Sequence, residues 1–265
     1  MDMDSFAFKK SFGQNFIKDK KIIHNIVDRA NIQKNSLVIE IGPGAGALTE
    51  ELVKHADMVL AYEIDERLKT FLTEKFQDND HVEFIFDDFL KRDLKQDIEK
   101  YAYENIYVVA NLPYYITTPI ITKLITEPIS VLNIVVMVQK EVGDRFLAAP
   151  GMKEYNSLTV YLNYYFNIKK LFLVSRNVFV PKPNVDSMVV SLVKKENQLK
   201  VINESLFFQL VRDSFQFKRK TLNNNFKRYD LDKIEKVLRT YQVDLTVRAE
   251  QLSLEMFVAI SNALA

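Results

Sequence analysis

The chain has 265 residues, a net charge of +1 and no cysteine. The absence of cysteine excludes a disulfide framework, a thiolate zinc site and a cysteine nucleophile. No stretch approaches the roughly 18 consecutive apolar residues of a membrane span, so we expect a soluble, cytoplasmic protein without a membrane partner.

Short apolar runs alternate with helical patterns through the first 190 residues. The segments that we predict as strands are residues 37–41, 58–64, 82–86, 106–110, 132–138 and, after a loop rich in proline, 186–195. Between the first strands, residues 48–55 and 66–76 have apolar side chains at helical spacing. This alternation is typical of a parallel sheet covered by helices. It predicts an α/β fold with a Rossmann-like sheet.

The pattern is helical only from about residue 200. Helices are predicted at 206–215, 231–241 and 254–264. We therefore expect two domains, a sheet domain over residues 1–195 that binds the cofactor and carries catalysis, and a small α-helical domain over residues 196–265.

Charge is distributed unevenly along the chain. Residues 50–100 carry 15 Asp or Glu against 8 Lys or Arg, whereas residues 194–228 carry 9 basic residues against 3 acidic ones. Such asymmetry favours a polyanionic partner such as RNA, although a basic run can also be a solvated face. The predicted RNA-binding residues come from the two densest basic runs: Lys9, Lys10, Lys18, Lys20 and Lys21, and Lys218, Arg219, Lys220, Lys227 and Arg228.

A glycine loop, "EIGPGAG" at 40–46, follows the first predicted strand and precedes a helix. Gly42, Gly44 and Gly46 let the backbone turn tightly and let a ligand approach the amides at the start of the helix. About 20 residues further on, Glu63 ends the second strand, where a carboxylate can accept hydrogen bonds from a ribose diol. Together these residues predict a nucleoside-binding site.

The loop leaves two cofactors open. Gly42, Gly44 and Ala47 satisfy the dinucleotide pattern G-x-G-x-x-G/A, while Glu40 and Gly46 fit the E-x-G-x-G-x-G form of S-adenosylmethionine enzymes. Asp88, at the end of the third strand, is a candidate acceptor for the exocyclic amine of adenine, or alternatively a helix N-cap.

The stretch "NLPY" at 111–114 closes the fourth strand, at the edge where parallel sheets bind ligands. The side-chain oxygen of Asn111 and the carbonyl of Leu112 are acceptors that can orient the lone pair of an aryl amine, and Pro113 fixes the local backbone. Tyr114 can stack on an extruded base. The alternative is a capped strand end with core tyrosines. No metal ligand set stands out, and we expect no metal.

Six segments in order along the chain carry a resemblance. They are "KKSFGQNFI" (9–17), "EIGPGAG" (40–46), "NLPYYITTPI" (111–120), "VFVPKPNVDS" (178–187), "FKRKTLNNNF" (217–226) and "RAEQLSLEMF" (248–257). Together they resemble the bacterial small-subunit (16S) ribosomal RNA adenine N6,N6-dimethyltransferase family.

This resemblance implies dimethylation of two adjacent adenosines in a hairpin near the 3′ end of 16S rRNA, with S-adenosylmethionine as cofactor. The partner would be small-subunit rRNA in a pre-ribosomal particle, and the enzyme a monomer. Phe179 would stack on the target adenine opposite Tyr114. The implied cofactor contacts are Asn15, Ile17, Gly42, Glu63, Asp88 and Asn111.

Three alternatives stay open. The macrolide-resistance branch, which methylates adenine N6 in 23S rRNA, shares the glycine loop and the Asn-x-Pro-Tyr/Phe motif, but usually lacks a proline at the position of Pro119. A non-catalytic RNA-binding assembly factor of the same fold would have no need for an intact Glu63 and Asn111. A nicotinamide oxidoreductase is the third.

Overall fold

The computed structural model describes residues 16–17, 19–196 and 198–265. They form two compact units, the first made of residues up to 143 together with 169–194, and the second of residues 144–168 together with 195–265. The sequence places a single boundary near residue 195, whereas in the structure residues 144–168 also belong to the second unit. None of the described helices is long and apolar enough to cross a membrane.

The elements run as follows in the described residues. The strands are β1 (Phe16–Ile17), β2 (Ser36–Ile41), β3 (Met58–Glu63), β4 (Val82–Phe86), β5 (Asn105–Asn111), β6 (Val131–Gln139), β7 (Phe166–Val174), β8 (Phe179–Val180) and β9 (Ser187–Lys194). The helices are α1 (Lys20–Ala30), α2 (Ala47–Leu52), α3 (Lys69–Lys75), α4 (Leu94–Ile98), α5 (Thr117–Thr126), α6 (Lys140–Phe146), α7 (Ser157–Tyr165), α8 (Glu204–Ser214), α9 (Leu222–Asn225), α10 (Leu231–Thr240) and α11 (Leu254–Leu264).

The main sheet has the strand order β4-β3-β2-β5-β6-β9-β7. Strands β4, β3, β2, β5 and β6 are mutually parallel, and β9 is antiparallel to β6. The glycine loop follows β2, and the Asn-Leu-Pro-Tyr stretch begins at Asn111, the last residue of β5. These two strands are parallel neighbours in the sheet. Because the carboxyl ends of parallel strands meet at one edge, this pairing brings the two motifs together.

The central strands are largely buried, which explains their continuous apolar sequences. All six residues of β2 are buried, as are most of β6 and β9. Such runs of Val, Ile and Leu are expected where both faces of a sheet are covered. The α/β prediction is thus confirmed, with β9 as an antiparallel addition.

The second unit is built from helices around its own apolar core. Phe207, Leu210, Phe226, Leu238 and Phe257 are fully buried there. Polar caps begin its helices: Asn203 accepts from the amide of Leu206 at 3.0 Å, and Asp230 accepts from that of Lys233 at 3.1 Å.

Candidate functional site

The glycine loop between β2 and α2 has the backbone that its sequence predicts. Gly42, Gly44 and Gly46 have φ values of 73°, 58° and 76°, in the left-handed region. A Cβ on Gly44 would lie 2.4 Å from the ring of Phe16, and one on Gly46 would lie 2.7 Å from the ring of Phe76. Both conformation and close packing therefore require glycine at these two positions.

A pocket opens beside this loop at the carboxyl edge of the sheet. It is lined by residues from β1, the glycine loop, the end of β3 and the Asn-Leu-Pro-Tyr stretch: Phe16, Ile17, Ile23, Glu40, Gly42, Pro43, Gly44, Ala45, Ala47, Leu48, Glu63, Ile64, Asn111, Leu112, Pro113 and Tyr114. Of the predicted site residues, the pocket thus brings together Ile17, Gly42, Gly44, Glu63 and residues 111–114.

Glu63 is 4% exposed and is tied to the glycine loop. Its carboxylate accepts hydrogen bonds from the amide of Gly44 at 3.0 Å and from that of Asp65 at 2.8 Å. Burial raises the pKa of Glu63, and these two amides oppose that rise. The acid therefore positions the loop as well as facing the pocket.

A second buried carboxyl, Glu40, lines the same pocket. It is 1% exposed and accepts a hydrogen bond of 2.6 Å from the hydroxyl of Thr49. Burial raises the pKa of Glu40 to about 8, and the charge of nearby Glu63 adds to that rise. A cation bound beside these two buried carboxyls would favour their ionised forms.

The Asn-Leu-Pro-Tyr stretch forms a rigid turn. The amide of Leu112 donates to the carbonyl of Met137 at 3.1 Å, which extends the pairing of β5 with β6 by one residue. The carbonyl of Pro113 accepts from the amide of Ile116 at 3.2 Å and from the hydroxyl of Thr117 at 3.1 Å, closing the 3₁₀ turn Tyr114–Ile116. Asn111 is half-buried at the end of the strand.

Tyr114 is held by a residue of another motif. Its hydroxyl forms a hydrogen bond of 2.6 Å with Oγ of Ser187, the fully buried first residue of β9. Burial raises the pKa of Tyr114. This contact links the two most specific motifs of the sequence, which are 73 residues apart.

Asp88 is the N-cap of a 3₁₀ turn, the alternative role considered for it. Its carboxylate accepts from the amide of Leu90 at 3.0 Å. It is not among the residues that line the pocket. The N-cap bond occupies one of the two carboxylate oxygens and does not exclude a cofactor contact. The contact of Asp88 with a cofactor therefore stays a prediction.

Phe179 packs in the core. It is 2% exposed and pairs with Ile17, which is 8% exposed, in the small sheet of β1 and β8. Phe179 is thus a packed core residue in this structure, and its stacking on a base stays a prediction.

The basic residues of the second unit are exposed: Lys218, Arg219, Lys220, Lys227 and Arg228. Arg228 is ion-paired with Asp213, which also accepts a hydrogen bond from the hydroxyl of Tyr229. Arg228 therefore has an internal partner, and an RNA role for this set stays a prediction. Of the other predicted residues, Lys9, Lys10, Asn15 and Lys18 lie outside the described residues.

Two histidines gather around one acid on α1 and the end of α2. His24 Nδ1 is 2.8 Å and His55 Nε2 is 3.6 Å from the same carboxylate oxygen of Glu51, and Lys54 Nζ is 2.5 Å from the other oxygen. The hydrogen bond from His24 is the main reason that the pKa of Glu51 falls to about 2. Lys54 and Glu51 form an ion pair in this cluster, and the expected absence of a metal stays a prediction.

Sequence reasoning missed three supporting residues. Phe16 covers Gly44, Thr49 bonds Glu40, and Ser187 bonds Tyr114. Thr49 lies nine residues after Glu40 on the helix that the loop opens, and Ser187 ends a recognised motif, so both positions carried a signal.

Comparison with known proteins gives consistent results. The model of a family described as ribosomal RNA adenine dimethylase matches residues 5–265. Proteins named ribosomal RNA small subunit methyltransferase A from Bacillus pumilus and Bacillus cytotoxicus are 47% and 46% identical, over 98% of this chain and 92% of theirs. A dimethyladenosine transferase from Plasmodium falciparum has a TM-score of 0.75 at 26% identity, covering 92% of this chain and 95% of that one. The 23S rRNA methyltransferase ErmE has a TM-score of 0.74 at 26% identity, covering 94% of this chain and 99% of its own.

Proposed function

The chain belongs to the ribosomal RNA adenine dimethylase family, and from that premise we propose that it dimethylates N6 of two adjacent adenosines near the 3′ end of small-subunit rRNA, with S-adenosylmethionine as methyl donor. The observation that carries the proposal is the rigid Asn-Leu-Pro-Tyr turn on the wall of the glycine-loop pocket. The resemblance in sequence supplies the identity of the RNA.

The pocket residues fit this cofactor. Glu63 offers carboxylate oxygens for a ribose diol, and Gly42 and Gly44, which have no side chains, let a ligand approach the backbone of the loop that lines the pocket. Glu40 and Glu63 place two buried carboxyls where a cationic ligand would favour their ionised forms. A nicotinamide dinucleotide would instead bring a pyrophosphate toward these acids, so the electrostatics favour the sulfonium cofactor. When bound, S-adenosylmethionine supplies an electrophilic methyl group.

The chain's own residues orient the amine. The lone pair of adenine N6 is delocalised into the ring, which makes the amine a poor nucleophile. The side-chain oxygen of Asn111 and the carbonyl of Leu112 accept hydrogen bonds from its two N–H groups. The nitrogen then becomes more tetrahedral, and its lone pair points away from both acceptors. Leu112 is bonded to β6 and Pro113 to the following helix, so the two acceptors are held in place before substrate arrives.

Tyr114 holds the base through stacking. Its hydroxyl is fixed by Ser187, and a fixed ring loses little conformational entropy on binding. Stacking on an aromatic side chain is the usual way in which enzymes hold an extruded base. Phe179 is proposed as its partner on the other face.

The finer proposal is that the substrate is a pre-ribosomal small-subunit particle in the cytoplasm and that the enzyme acts as a monomer. Its support is the resemblance of the six motifs, which run in order from residue 9 to residue 257. Methylation of naked rRNA compared with assembling particles tests the first part, and light scattering of the purified protein tests the second.

The deciding experiment is transfer of labelled methyl groups from S-adenosylmethionine to small-subunit rRNA, followed by mass spectrometry of the nucleosides. We expect N6,N6-dimethyladenosine in that RNA, and none in large-subunit rRNA. Label in large-subunit rRNA instead would identify a resistance-type enzyme. Binding of RNA without any transfer would favour the assembly factor. Asn111→Ala should abolish most transfer while RNA still binds, because the amide acts on the reacting nitrogen.

A further inference from the structure

A phenylalanine lies on the surface of the second unit among three cationic residues. Phe217 is 56% exposed, and Lys218, Arg219 and Lys220, which follow it, are all exposed. Phe226, at the end of the same segment, is by contrast fully buried. The segment therefore sends one phenylalanine into the core and leaves another exposed directly before three positively charged residues.

The backbone at Phe217 is held in place. Its carbonyl accepts from the amide of Lys220 at 2.8 Å and from the side-chain amide of Asn225 at 3.4 Å. Asn225 is buried and also donates to the carbonyl of Ser214 at 2.7 Å, which fixes the loop to the end of α8. The ring is thus presented by an anchored loop, so little order has to be gained when it meets a ligand.

A neighbouring loop adds to the same surface. The ammonium of Lys218 donates to the carbonyl of Lys153 at 3.4 Å, which places residues 152–153 beside it. Met152 is 48% exposed and Lys153 is exposed. We call this set of residues the Phe217 surface: Met152, Lys153, Phe217, Lys218, Arg219 and Lys220.

The charges of this surface select the partner. Asp213, the acid at the end of α8, is occupied by Arg228 and Tyr229, so it does not neutralise the basic loop. An aromatic ring set among cations matches single-stranded nucleic acid, in which bases stack on the ring and phosphates meet the charges. A membrane surface would use the same charges, but a single ring held on a rigid loop suits a planar base better.

We propose that Phe217 is a base-stacking residue that takes an unpaired nucleotide of the RNA at a second contact point, separate from the pocket that carries the reaction. This inference rests on the proposed function. It adds to the basic residues an aromatic residue whose contribution to RNA affinity does not depend on salt. A stacked base releases no counterions, whereas each phosphate contact does.

The salt dependence of binding tests the proposal. Phe217→Ala should weaken binding of a small-subunit rRNA fragment roughly fivefold to a hundredfold, with the slope of log affinity against log salt unchanged. Phe217→Tyr should restore affinity, because tyrosine also stacks. Lys218→Ala should instead reduce the slope by about 0.7 to 0.9 if it meets a phosphate. Tyr241→Ala removes another exposed aromatic side chain of the second unit and is the matched control.

A direct reporter is available because the chain has no tryptophan. Phe217→Trp places a single indole at the site, and we expect its fluorescence to be quenched by single-stranded oligoadenylate more than by a duplex of equal length. Wild-type affinity in Phe217→Ala, or no quenching by RNA in the Trp variant, would overturn the proposal. Equal quenching by polyglutamate or by anionic lipid vesicles would overturn it as well, since base stacking would then not be the cause.

Methyl transfer by the wild type and RNA binding by Phe217→Ala test the proposed function and the stacking role separately. If wild-type protein transfers methyl groups to small-subunit rRNA and Phe217→Ala binds that RNA equally well, only the stacking role is wrong. If the wild type transfers no methyl group but Phe217→Ala binds the RNA more weakly than wild type, the proposed function is wrong and the stacking role is supported. Thermal unfolding by circular dichroism checks that each variant is folded.

Discussion

Two buried carboxyl groups define the chemistry of the pocket at the scale of single residues. Glu63 is held by two backbone amides, and Glu40 by one hydroxyl. Burial disfavours the ionised form of both carboxyls, and the charge of Glu63 further disfavours the ionisation of Glu40. In the free enzyme this arrangement costs stability, and a cationic ligand would reduce the cost.

Glu63 should determine cofactor affinity. Glu63→Gln keeps the shape but places an amide N–H₂ where the carboxylate now accepts from Gly44 or Asp65. A charge-assisted hydrogen bond contributes about 1.5–3 kcal/mol, so we expect S-adenosylmethionine to bind at least tenfold more weakly by calorimetry. The exposed neighbour Glu66→Gln is the control. Equal affinity of the two variants would remove Glu63 from the site.

Glu40 should make stability depend on pH. Its pKa in the folded protein, about 8, lies above the ordinary value of 4.5, so between these values the folded state binds more protons than the unfolded state. Stability due to this group therefore falls as pH rises from about 4.5 to about 8. Glu40→Gln cannot ionise, and its stability relative to wild type should rise by on the order of 3 kcal/mol between pH 5 and pH 8.

Urea unfolding at several pH values measures this difference. The exposed Glu99→Gln should follow the wild type throughout. Parallel curves for Glu40→Gln and wild type would mean that Glu40 is ionised in the folded protein, so a cationic ligand would not change its ionisation.

At the scale of elements, one contact couples the two best-defined motifs. The hydroxyl of Tyr114, from the turn after β5, meets Ser187 at the start of β9. A neutral hydrogen bond contributes about 0.5–1.5 kcal/mol. Ser187→Ala should therefore lower turnover by about threefold to tenfold through a less ordered ring, and leave cofactor affinity unchanged.

A double-mutant cycle separates this effect from general damage. In a Tyr114→Phe background, Ser187→Ala should have almost no further effect on turnover, because the hydroxyl that it holds is already gone. Additive losses would show that Ser187 acts on something other than Tyr114.

Phe179 requires a variant that separates packing from stacking. Because it is buried, Phe179→Ala should cost about 3–5 kcal/mol of stability whatever its catalytic role. Phe179→Leu fills most of that volume but cannot stack. We expect it to melt close to the wild type and to turn over roughly tenfold more slowly. Normal turnover would leave Phe179 a core residue only.

The sequence predicts the elements that carry the site better than those that surround it. Strands β2, β3 and β5 are apolar runs that end in a glycine loop, an acid and an amide, respectively. Their positions in the sequence therefore follow from the apolar runs, and their meeting at one edge follows from the residues at their ends. In β7 only the two end residues are buried, and Lys169 and Lys170 interrupt its apolar residues, so its sequence shows no continuous strand pattern.

Residues 144–168 were not recognised as part of the second unit for a similar reason. α7 is apolar on nearly all sides, "SLTVYLNYY", and has no polar face to indicate how it packs. Its burial against the helical core depends on contacts between residues far apart in the chain, such as the bond from Tyr161 to the carbonyl of Phe208. The Tyr114–Ser187 contact is equally distant in sequence, so no local pattern could predict it.

At the scale of the whole molecule, charge is separated along a chain that is almost neutral. The acidic excess lies in residues 50–100, which include β3, with Glu63 at its end, and β4. The basic excess lies in residues 194–228. A near-neutral protein that binds RNA has to concentrate its positive charge, since net attraction is small. The basic residues of the second unit are therefore the expected source of the salt dependence of RNA binding.

Within that set, internal pairing predicts unequal contributions. Neutralising Lys218, Arg219 and Lys220 together should flatten the log–log slope of RNA affinity against salt by about 2, if all three meet phosphates. Arg228→Ala should change the slope less than any one of them, because its guanidinium is already paired with Asp213. Filter binding of the rRNA fragment at several salt concentrations measures the slope for the wild type, the triple variant, each single variant and Arg228→Ala. An unchanged slope in the triple variant would move the RNA-binding surface away from residues 218–220, and a large effect of Arg228→Ala would mean that RNA displaces Asp213 from its partner.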